Sequence, residues 1–197
     1  MTTDVVFNVV KPIFDAHRNN PSVEIEIRFG KIIGNKFEPD VGRDIFDKIM
    51  SSLESYNGWE LVSNTKHSIY YHGHNRYMID EETNETIYMS KKKLLNQNFK
   101  IDSHPLDIRF SVSEETIIPG EPGDVVMDMV KMRTRKSFVR KNLSIDLSIV
   151  GGDPDDLDNE EPEVYQIEME IVKPQSVKND DELYNLLHKI ECILKVL

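Results

Sequence analysis

Apolar and polar residues alternate with a period of two through most of the chain between residues 23 and 173. Because successive side chains of a strand point to opposite faces, this alternation predicts strands that each have one apolar and one polar face. Turn sequences such as His72-Gly73-His74 and Lys141-Asn142 separate several of them, which favours antiparallel neighbours. The predicted strands lie near residues 23–33, 59–64, 67–72, 75–80, 85–94, 107–116, 128–140, 143–150 and 163–173.

Three further segments show helical spacing. Pro12 interrupts the apolar stripe of the first, so we expect a short or kinked helix there. In the second, Asp40 precedes an apolar stripe and is placed to cap the helix. The predicted helices cover about residues 2–19, 40–56 and 179–197. A chain of 197 residues has the size of one domain, and we predict a single α+β, mainly β domain over residues 1–197 with these helices as its flanks.

Each polar strand face carries nearly one sign of charge or one polar type. Five such faces occur: Glu24, Glu26 and Arg28; Asp107, Arg109, Ser111, Ser113 and Glu115; Lys131, Arg133 and Arg135; Ser144, Asp146 and Ser148; and Gln166, Glu168 and Glu170. Solvated faces normally mix charges of both signs, because like charges directly opposite each other are destabilising. The segregation therefore indicates that something bridges the like charges.

A closed barrel with a bound metal and a phosphate would explain these faces. A divalent cation bridges carboxylates, and a phosphate bridges a cation to Arg and Lys. Glutamates two apart on a strand lie on one side roughly 7 Å apart, so two such strands can direct oxygens at one Mg²⁺ or Mn²⁺, the hard ions that oxygen ligands favour. We therefore predict a closed antiparallel β-barrel of about eight strands, with a polar tunnel inside and the helices packed on its apolar outer surface.

Composition narrows the range of partners and compartments. The formal net charge of −11, from 35 acidic and 24 basic residues, argues against a general basic surface for nucleic acid. A single cysteine, Cys192, excludes a disulfide framework. With no signal-like N-terminus and no run of about 18 apolar residues, we expect an intracellular protein without membrane association. The acidic stretch 151–163 is expected to be a solvated loop.

The first and last acidic strands resemble a known pair of motifs. Glu24-Ile25-Glu26-Ile27-Arg28-Phe29-Gly30 and Gln166-Ile167-Glu168-Met169-Glu170 are similar to the paired glutamate motifs of triphosphate tunnel metalloenzymes. The resemblance covers about residues 23 to 173 and extends in particular to the fungal, protozoal and large-DNA-virus RNA triphosphatases of mRNA capping, including the N-terminal domain of giant-virus, mimivirus-like, capping enzymes. It implies an eight-stranded tunnel that removes the terminal phosphate of triphosphate-ended RNA and of NTPs.

The resemblance also implies roles for individual residues. Glu24, Glu26, Glu168 and Glu170 match the glutamates that bind Mg²⁺ or Mn²⁺. Ser148 departs from a strand that usually reads Asp-x-Thr in the family, and the register of the lysines at 91–93 is open. By parity with Ser90 and Tyr88, we expect Lys92 to face the triphosphate. The catalytic residues implied are Arg28, Arg76, Lys92, Arg109, Glu115, Lys131, Arg133, Arg135 and Asp146.

Motifs of other phosphate chemistries are absent from the sequence. It contains neither a Gly-x-x-x-x-Gly-Lys-Ser/Thr loop nor the Arg that follows the cysteine of cysteine phosphatases. The six histidines give little support to a metal site of their own: His72 and His74 flank Gly73 as a candidate metal pair, but this arrangement is more typical of a turn. A Lys-x-Asp-Gly motif for nucleotidyl transfer is also missing, so the later capping steps would require a fused or associated guanylyltransferase. A viral protein of this kind would act in the cytoplasm, in a viral factory or in the virion, and a cellular one in the nucleus.

Two other functions remain open at this point. The first is a small-molecule enzyme of the same superfamily, such as a thiamine triphosphatase, an inorganic triphosphatase or a class IV adenylyl cyclase. The first strand of those enzymes typically reads Glu-x-Glu-x-Lys, so Arg28 favours the RNA group. The second is a non-enzymatic charged barrel that binds an acidic partner through the strand from Lys131 to Arg135.

Overall fold

The computed structural model describes residues 3–123, 126–152 and 162–197. The strands in these ranges are β1 (Val23–Ile33), β2 (Lys36–Glu38), β3 (Leu61–His72), β4 (Asn75–Asp80), β5 (Thr86–Phe99), β6 (Asp107–Ile117), β7 (Met129–Arg140), β8 (Leu143–Gly151) and β9 (Val164–Ile171). The helices are α1 (Thr3–His17), α2 (Arg43–Glu54) and α3 (Asp180–Leu194), and a 3₁₀ turn spans Pro174–Ser176. Most of the stretch expected to form an acidic loop lies outside the described residues.

Eight of the strands close into an antiparallel barrel. They are hydrogen-bonded in the order β1-β6-β5-β4-β3-β7-β8-β9, and β9 pairs back onto β1. Tight turns at Gly73, with φ of 56°, and at Lys141, with φ of 54°, reverse the chain between neighbouring strands. The ninth strand, β2, adds a short pairing to the end of β1. The prediction of a mainly β, closed eight-stranded barrel with flanking helices is confirmed.

Several strand boundaries differ from the prediction. The segments 59–64 and 67–72 form the one continuous strand β3, because β7 pairs with it from Leu61 to Tyr71 without a break. The strand β5 runs on to Phe99, past a register shift between Lys93 and Leu95 that a regular alternation does not show. The three-residue strand β2 was not predicted, since it is too short to display a period.

The helices lie where they were predicted, with different ends. The helix α1 continues through Pro12 to His17, although proline removes the amide that would bond to the carbonyl of Asn8. The prediction that Asp40 caps α2 is wrong: the helix begins after Gly42, and the Asp40 carboxylate instead accepts hydrogen bonds from the backbone amides of Gly42 and Tyr165. No helix in the described ranges combines the length and the apolar character that crossing a membrane requires.

The hydrophobic core lies outside the barrel wall, between the strands and the helices. On β1, the side chains of Ile25, Ile27 and Phe29 are at most 1% exposed. The corresponding outward residues of β6, β8 and β9 are also buried: Ile108, Phe110, Val112, Ile145, Leu147, Ile167, Met169 and Ile171. The helices cover this surface, with Phe14 of α1 and Ile49 of α2 in the same cluster. Burying the apolar faces on the outside leaves the polar faces to line the lumen.

The position of the core predicts which substitutions unfold the protein. Phe110→Ala should lower the free energy of unfolding by about 3–5 kcal/mol, because it leaves a cavity between the barrel wall and the helices. Urea denaturation measures the change. Ile117→Ala on the same strand is the control, since Ile117 is 64% exposed and its truncation should cost little. An equal, small effect for both substitutions would contradict an apolar outer core.

Candidate functional site in the barrel lumen

The segregated polar faces meet inside the barrel. Pairing of β1 with β9 sets Glu26 directly opposite Glu170, and Arg28 opposite Glu168. Pairing of β8 with β9 sets Asp146 opposite Glu168. Glu26, Asp146 and Glu168 are 4–6% exposed, so the lumen buries carboxylates that are neighbours on three adjoining strands. Buried carboxylates require cations or hydrogen-bond donors beside them, and the lumen supplies both.

A chain of ion pairs links four strands across the lumen. The Nε atom of Arg28 lies 2.8 Å from Oε1 of Glu26 and 3.0 Å from Oε1 of Glu168. The guanidinium of Arg135 continues the chain, with Nη2 at 2.9 Å from Oε2 of Glu168 and Nη1 at 3.1 Å from Oδ2 of Asp146. Two arginines thus hold three carboxylates in place, and each arginine bridges two of them.

A second cluster lies where β1, β5 and β6 adjoin. The Lys91 ammonium group forms ion pairs with Glu24 and, at 3.0 Å, with Oε1 of Glu115. Oε2 of Glu24 also accepts a hydrogen bond of 2.9 Å from the hydroxyl of Ser113. The side chain of Lys91 is 11% exposed, so this lysine is part of the lumen.

The prediction that Lys92 faces the lumen is wrong. In the pairing of β5 with β6, Lys91 lies opposite Glu115, which puts the even-numbered residues of this part of β5 on the outer face. Lys92 is exposed, and the ring of Tyr88 packs outside the barrel against Tyr77, with their centroids 6.4 Å apart. Lys92 shares a face of β5 with Ser90 and Tyr88, as predicted, but that face is the outer one.

One buried cation in the lumen lacks a full set of partners. Nε of Arg133 and Nδ1 of His67 are buried and have no hydrogen-bond partner among the described residues. The two residues are opposite each other on β7 and β3, and Nε2 of His67 lies 3.6 Å from Oδ2 of Asp80. Burial, with the nearby Arg135, lowers the pKa of Arg133 to about 10. The unpaired N–H at Nε of Arg133 is a donor that an anionic ligand would satisfy.

Three other cations expected in the site also occupy lumen-facing positions. Lys131 lies two residues before Arg133 on the same face of β7. The guanidinium of Arg76 lies 5.7 Å from the ring centroid of Tyr71. Nε of Arg109 donates a hydrogen bond of 2.8 Å to Oδ1 of Asn98, and its guanidinium lies 4.5 Å from the ring centroid of Phe37. The barrel thus brings together every predicted site residue except Lys92, and their roles remain predictions.

Two glutamates of the lumen have raised pKa values, and one of them lacks a partner within the described ranges. Burial, together with the Glu168 carboxylate, raises the pKa of Glu26 to about 7. Burial likewise raises the pKa of Glu170 to about 7, with contributions from Glu24 and Asp146. Among the described residues, Glu170 forms neither a hydrogen bond nor an ion pair. Glu26 is paired with Arg28, so the lumen holds one carboxylate, Glu170, and one arginine, Arg133, that lack partners among the described residues.

The lumen carboxylates are of the chemical type that binds a hard metal ion, but several of them now form ion pairs with arginine and lysine. An all-oxygen set such as Glu24, Glu26, Glu168 and Glu170 suits a hard divalent cation. Within the described ranges, however, no three or more His, Cys, Asp or Glu side chains converge as a ready-made metal site. Arg28 pairs with Glu26 and Glu168, and Lys91 pairs with Glu24, so three of the four carboxylates are turned towards cations of the protein.

Two residues of the lumen were missed from the sequence. Lys91 was misassigned by the choice of face on β5, and only its pairing with Glu115 reveals the error. His67 drew no attention because it lies outside any metal-like spacing. Only the pairing of β3 with β7, which sets His67 opposite Arg133 of the basic face, reveals its place in the lumen.

Comparison with known proteins supports the fold. No protein-family model matches the chain, and no curated protein sequence matches it. Solved structures do match over nearly its whole length. The RNA triphosphatase Pct1 of S. pombe superposes with a TM-score of 0.71 at 17% identity, covering 98% of this chain and 84% of Pct1. A structure of Pct1 in complex with the Spt5 CTD gives a TM-score of 0.77 at 15% identity, covering 98% and 90%.

A viral structure is similar as well. The RNA triphosphatase domain of a trifunctional mimivirus mRNA capping enzyme has a TM-score of 0.64 at 15% identity, and the match covers 99% of this chain and all of that domain. At such identities the similarity establishes architecture and leaves chemistry to the side chains. The chain has the fold of the solved RNA triphosphatases of S. pombe and mimivirus.

Proposed function

We propose that the chain is a metal-dependent RNA 5′-triphosphatase, which hydrolyses the γ-phosphate of triphosphate-ended RNA, and of NTPs, as the first step of mRNA capping. The observation that carries this proposal is an excess of both signs of charge in the lumen, where one carboxylate and one arginine lack partners among the described residues. Glu170 makes neither a hydrogen bond nor an ion pair with the described residues, and burial raises its pKa to about 7, while the buried Nε of Arg133 lacks a hydrogen-bond partner among the described residues. A divalent cation bound together with a triphosphate would compensate both excesses at once.

Two adjoining strands supply the proposed metal ligands. Glu24, Glu26, Glu168 and Glu170 would hold Mg²⁺ or Mn²⁺, and the pairing of β1 with β9 brings Glu26 and Glu170 opposite each other. When bound, the ion would polarise the γ-phosphoryl group and offset its negative charge. Arg28 would then be released from Glu26 or Glu168 and become available to phosphate oxygens.

The cations of the lumen would grip the triphosphate. Guanidinium groups bind phosphate oxygens through charge-assisted, often bidentate hydrogen bonds. Arg133 is the best placed, since its buried Nε has no partner to give up. Lys131 and Arg135 stand on the same face of β7, and Lys91 approaches from β5. Together they would neutralise the charge that spreads over the γ-phosphoryl oxygens in the transition state.

The reaction is a hydrolysis at the γ-phosphorus. Water attacks this atom in line, and the bond between it and the β–γ bridging oxygen breaks. The products are a diphosphate end and inorganic phosphate. A lumen carboxylate would orient the water by accepting a hydrogen bond from it. Oε1 of Glu115 is paired with Lys91, whereas neither oxygen of Glu170 makes a hydrogen bond with the described residues.

The choice of RNA over small triphosphates has two supports. The first strand carries Arg28 where small-molecule tunnel enzymes typically have lysine. Solved RNA triphosphatases are among the structural neighbours, and one of them belongs to a trifunctional mRNA capping enzyme. A capping context, with a fused or associated guanylyltransferase, is therefore part of the proposal. A small-molecule triphosphatase with the same lumen chemistry is the alternative.

The first test is phosphate release. The protein should release γ-phosphate from triphosphate-ended RNA only with Mg²⁺ or Mn²⁺, and Glu26→Ala and Arg133→Ala should each slow release by about 100-fold or more. Glu85→Ala, in an exposed turn, is the control. Competition with ATP and tripolyphosphate ranks the substrates. Turnover of tripolyphosphate without RNA turnover would favour the small-molecule enzyme, and no turnover of any substrate would leave a binding barrel.

Adjacent lysines on β5 offer a matched pair. Lys91→Ala should reduce the rate of phosphate release by about tenfold or more, because Lys91 is a buried cation of the lumen. Lys92→Ala should leave the rate unchanged, because Lys92 is exposed on the outer face. Steady-state kinetics on triphosphate-ended RNA give both values. The reverse order of effects would show that the pairing of β5 with β6 is misplaced.

Loss of activity should be separable from loss of stability. Glu170→Gln removes a carboxylate that repels Glu24 and Asp146. We expect the metal-free variant to be more stable than the wild type by about 1 kcal/mol and to lose phosphate release. Glu115→Gln is the control that should destabilise, because it breaks the ion pair with Lys91. Urea denaturation in the presence of a chelator measures both, and a destabilised Glu170→Gln would contradict the predicted repulsion.

A further inference from the structure

We propose that a groove between α2 and α3, on the outside of the barrel, docks an acidic amphipathic peptide segment of a partner protein. This helical groove has a volume of about 910 Å³. It lies outside the lumen, and none of the residues assigned above to metal or triphosphate belongs to it. The inference therefore stands independently of the proposed enzymatic function.

The groove offers an apolar floor. Its floor is formed by side chains of α2, α3 and β8 and by one aromatic residue between α2 and β3: Leu53, Leu186, Ile193, Leu143, Ile145 and Trp59. Leu53, Trp59 and Leu186 are only partly buried, so apolar surface is left for a ligand to cover. Aliphatic or aromatic side chains spaced along a peptide would bury this surface.

The rim of the groove is cationic. Arg140, Lys141, Lys178 and Lys189 line it and are exposed. Within the described part of the chain, none of the four forms an ion pair with a carboxylate. Among the described residues that line the groove, Glu182 is the one carboxylate, and it accepts a hydrogen bond from the backbone amide of Lys178. Four cations around an apolar floor contrast with the net charge of −11 of the whole chain, and they complement a ligand that carries carboxylates beside its apolar residues.

The aromatic residues favour a peptide over RNA as the occupant. Single-stranded RNA binds aromatic rings whose faces are open to stacking. Here the rings of Tyr56 and Trp59 meet edge to face, with centroids 5.3 Å apart at 82°. Trp59 also packs against Phe138 at 5.5 Å, and its Nε1 donates a hydrogen bond to the carbonyl of Leu53. Both rings are thus used within the protein.

The groove lies directly behind one wall of the lumen. On β8, Leu143 and Ile145 face the groove, while the intervening Ser144 and the next residue, Asp146, are on the lumenal face. The hydroxyl of Ser144 donates a hydrogen bond of 2.6 Å to Asp146, which in turn pairs with Arg135. A partner seated in the groove would therefore lie one strand thickness away from the lumen without blocking access to it.

Two unique residues make the groove directly observable. The chain contains one tryptophan and one cysteine, and both Trp59 and Cys192 line the groove. Tryptophan emission and the rate of thiol modification therefore report occupancy of this site alone. The probe is a synthetic 16-residue peptide without Trp, Tyr or Cys, with Leu at helical i, i+3, i+4 and i+7 spacing and Glu at most other positions. A scrambled peptide of the same composition and a peptide with Lys in place of Glu are its controls.

We expect the acidic amphipathic peptide to shift the emission of Trp59 saturably and to slow thiol modification of Cys192 with the same midpoint. The two control peptides should do neither. The double variant Lys178→Glu with Lys189→Glu should bind about tenfold more weakly. Lys36→Glu with Lys100→Glu, which makes the same charge change at exposed sites outside the groove, should bind like the wild type. Phosphate release should be unchanged in both double variants.

Several results would overturn the proposal. The first is the absence of any shift with the acidic amphipathic peptide while the protein is folded by circular dichroism. The second is an equal shift with the scrambled peptide, which would indicate general attraction to negative charge. A shift with a 20-nucleotide single-stranded RNA but not with the peptide would assign the groove to nucleic acid. Concentration-dependent dimerisation that protects Cys192 without peptide would assign it to a second copy of the chain.

Discussion

Buried carboxylates on adjoining strands repel one another, and the arrangement of cations in this lumen follows from that constraint. Strand pairing brings Glu26 opposite Glu170 and Asp146 opposite Glu168, so the backbone holds the Cα atoms of these acidic residues side by side. Arg28 and Arg135 offset the repulsion between carboxylates, because each forms ion pairs with two of them. Their positions in turn require the pairing of β1 with β9 that closes the barrel. Barrel closure and the ion pairs of the lumen therefore depend on each other.

The same constraint determines where the core lies. A lumen filled with charge cannot be a hydrophobic interior, so the apolar faces of β1, β6, β8 and β9 point outward and need cover. The three helices supply it, and the most deeply buried residues, such as Phe14, Phe29 and Ile49, lie between wall and helices. The cover is also what creates the groove between α2 and α3, because two helices placed on a curved wall leave a channel between them.

Not every charged side chain of the lumen has a partner among the described residues, and those without one include an acidic and a basic residue. Glu170 is left unpaired within the described residues, and its pKa is raised to about 7. Arg133 leaves a buried donor unsatisfied. A protein that needed only stability would replace such residues, since exchanging them for neutral side chains relieves repulsion and desolvation. Their combination is understandable if a ligand that carries both signs, a cation with its phosphates, completes the site.

The sequence by itself determined which residues share a face, because side chains alternate strictly along a strand and the charges are segregated along that alternation. This was enough to predict the closed barrel, the polar tunnel and the grouping of Glu24, Glu26, Glu168 and Glu170 with the basic face of β7. It could not choose between the two faces of a strand whose residues are polar on both, which is why Lys92 was selected and Lys91 is found in the lumen. That choice is made by pairing with β6.

Tertiary structure alone decided which charges meet. Asp40 binds the backbone of β9 where its sequence position suggested a helix cap, and His67 joins the site only because β3 pairs with β7 in one register. The groove with Trp59 and Cys192 likewise brings together residues far apart in the chain. The physical reason is common to these cases: local spacing specifies the direction of a side chain, whereas its neighbours across strands and helices depend on register and packing, which the whole fold settles at once.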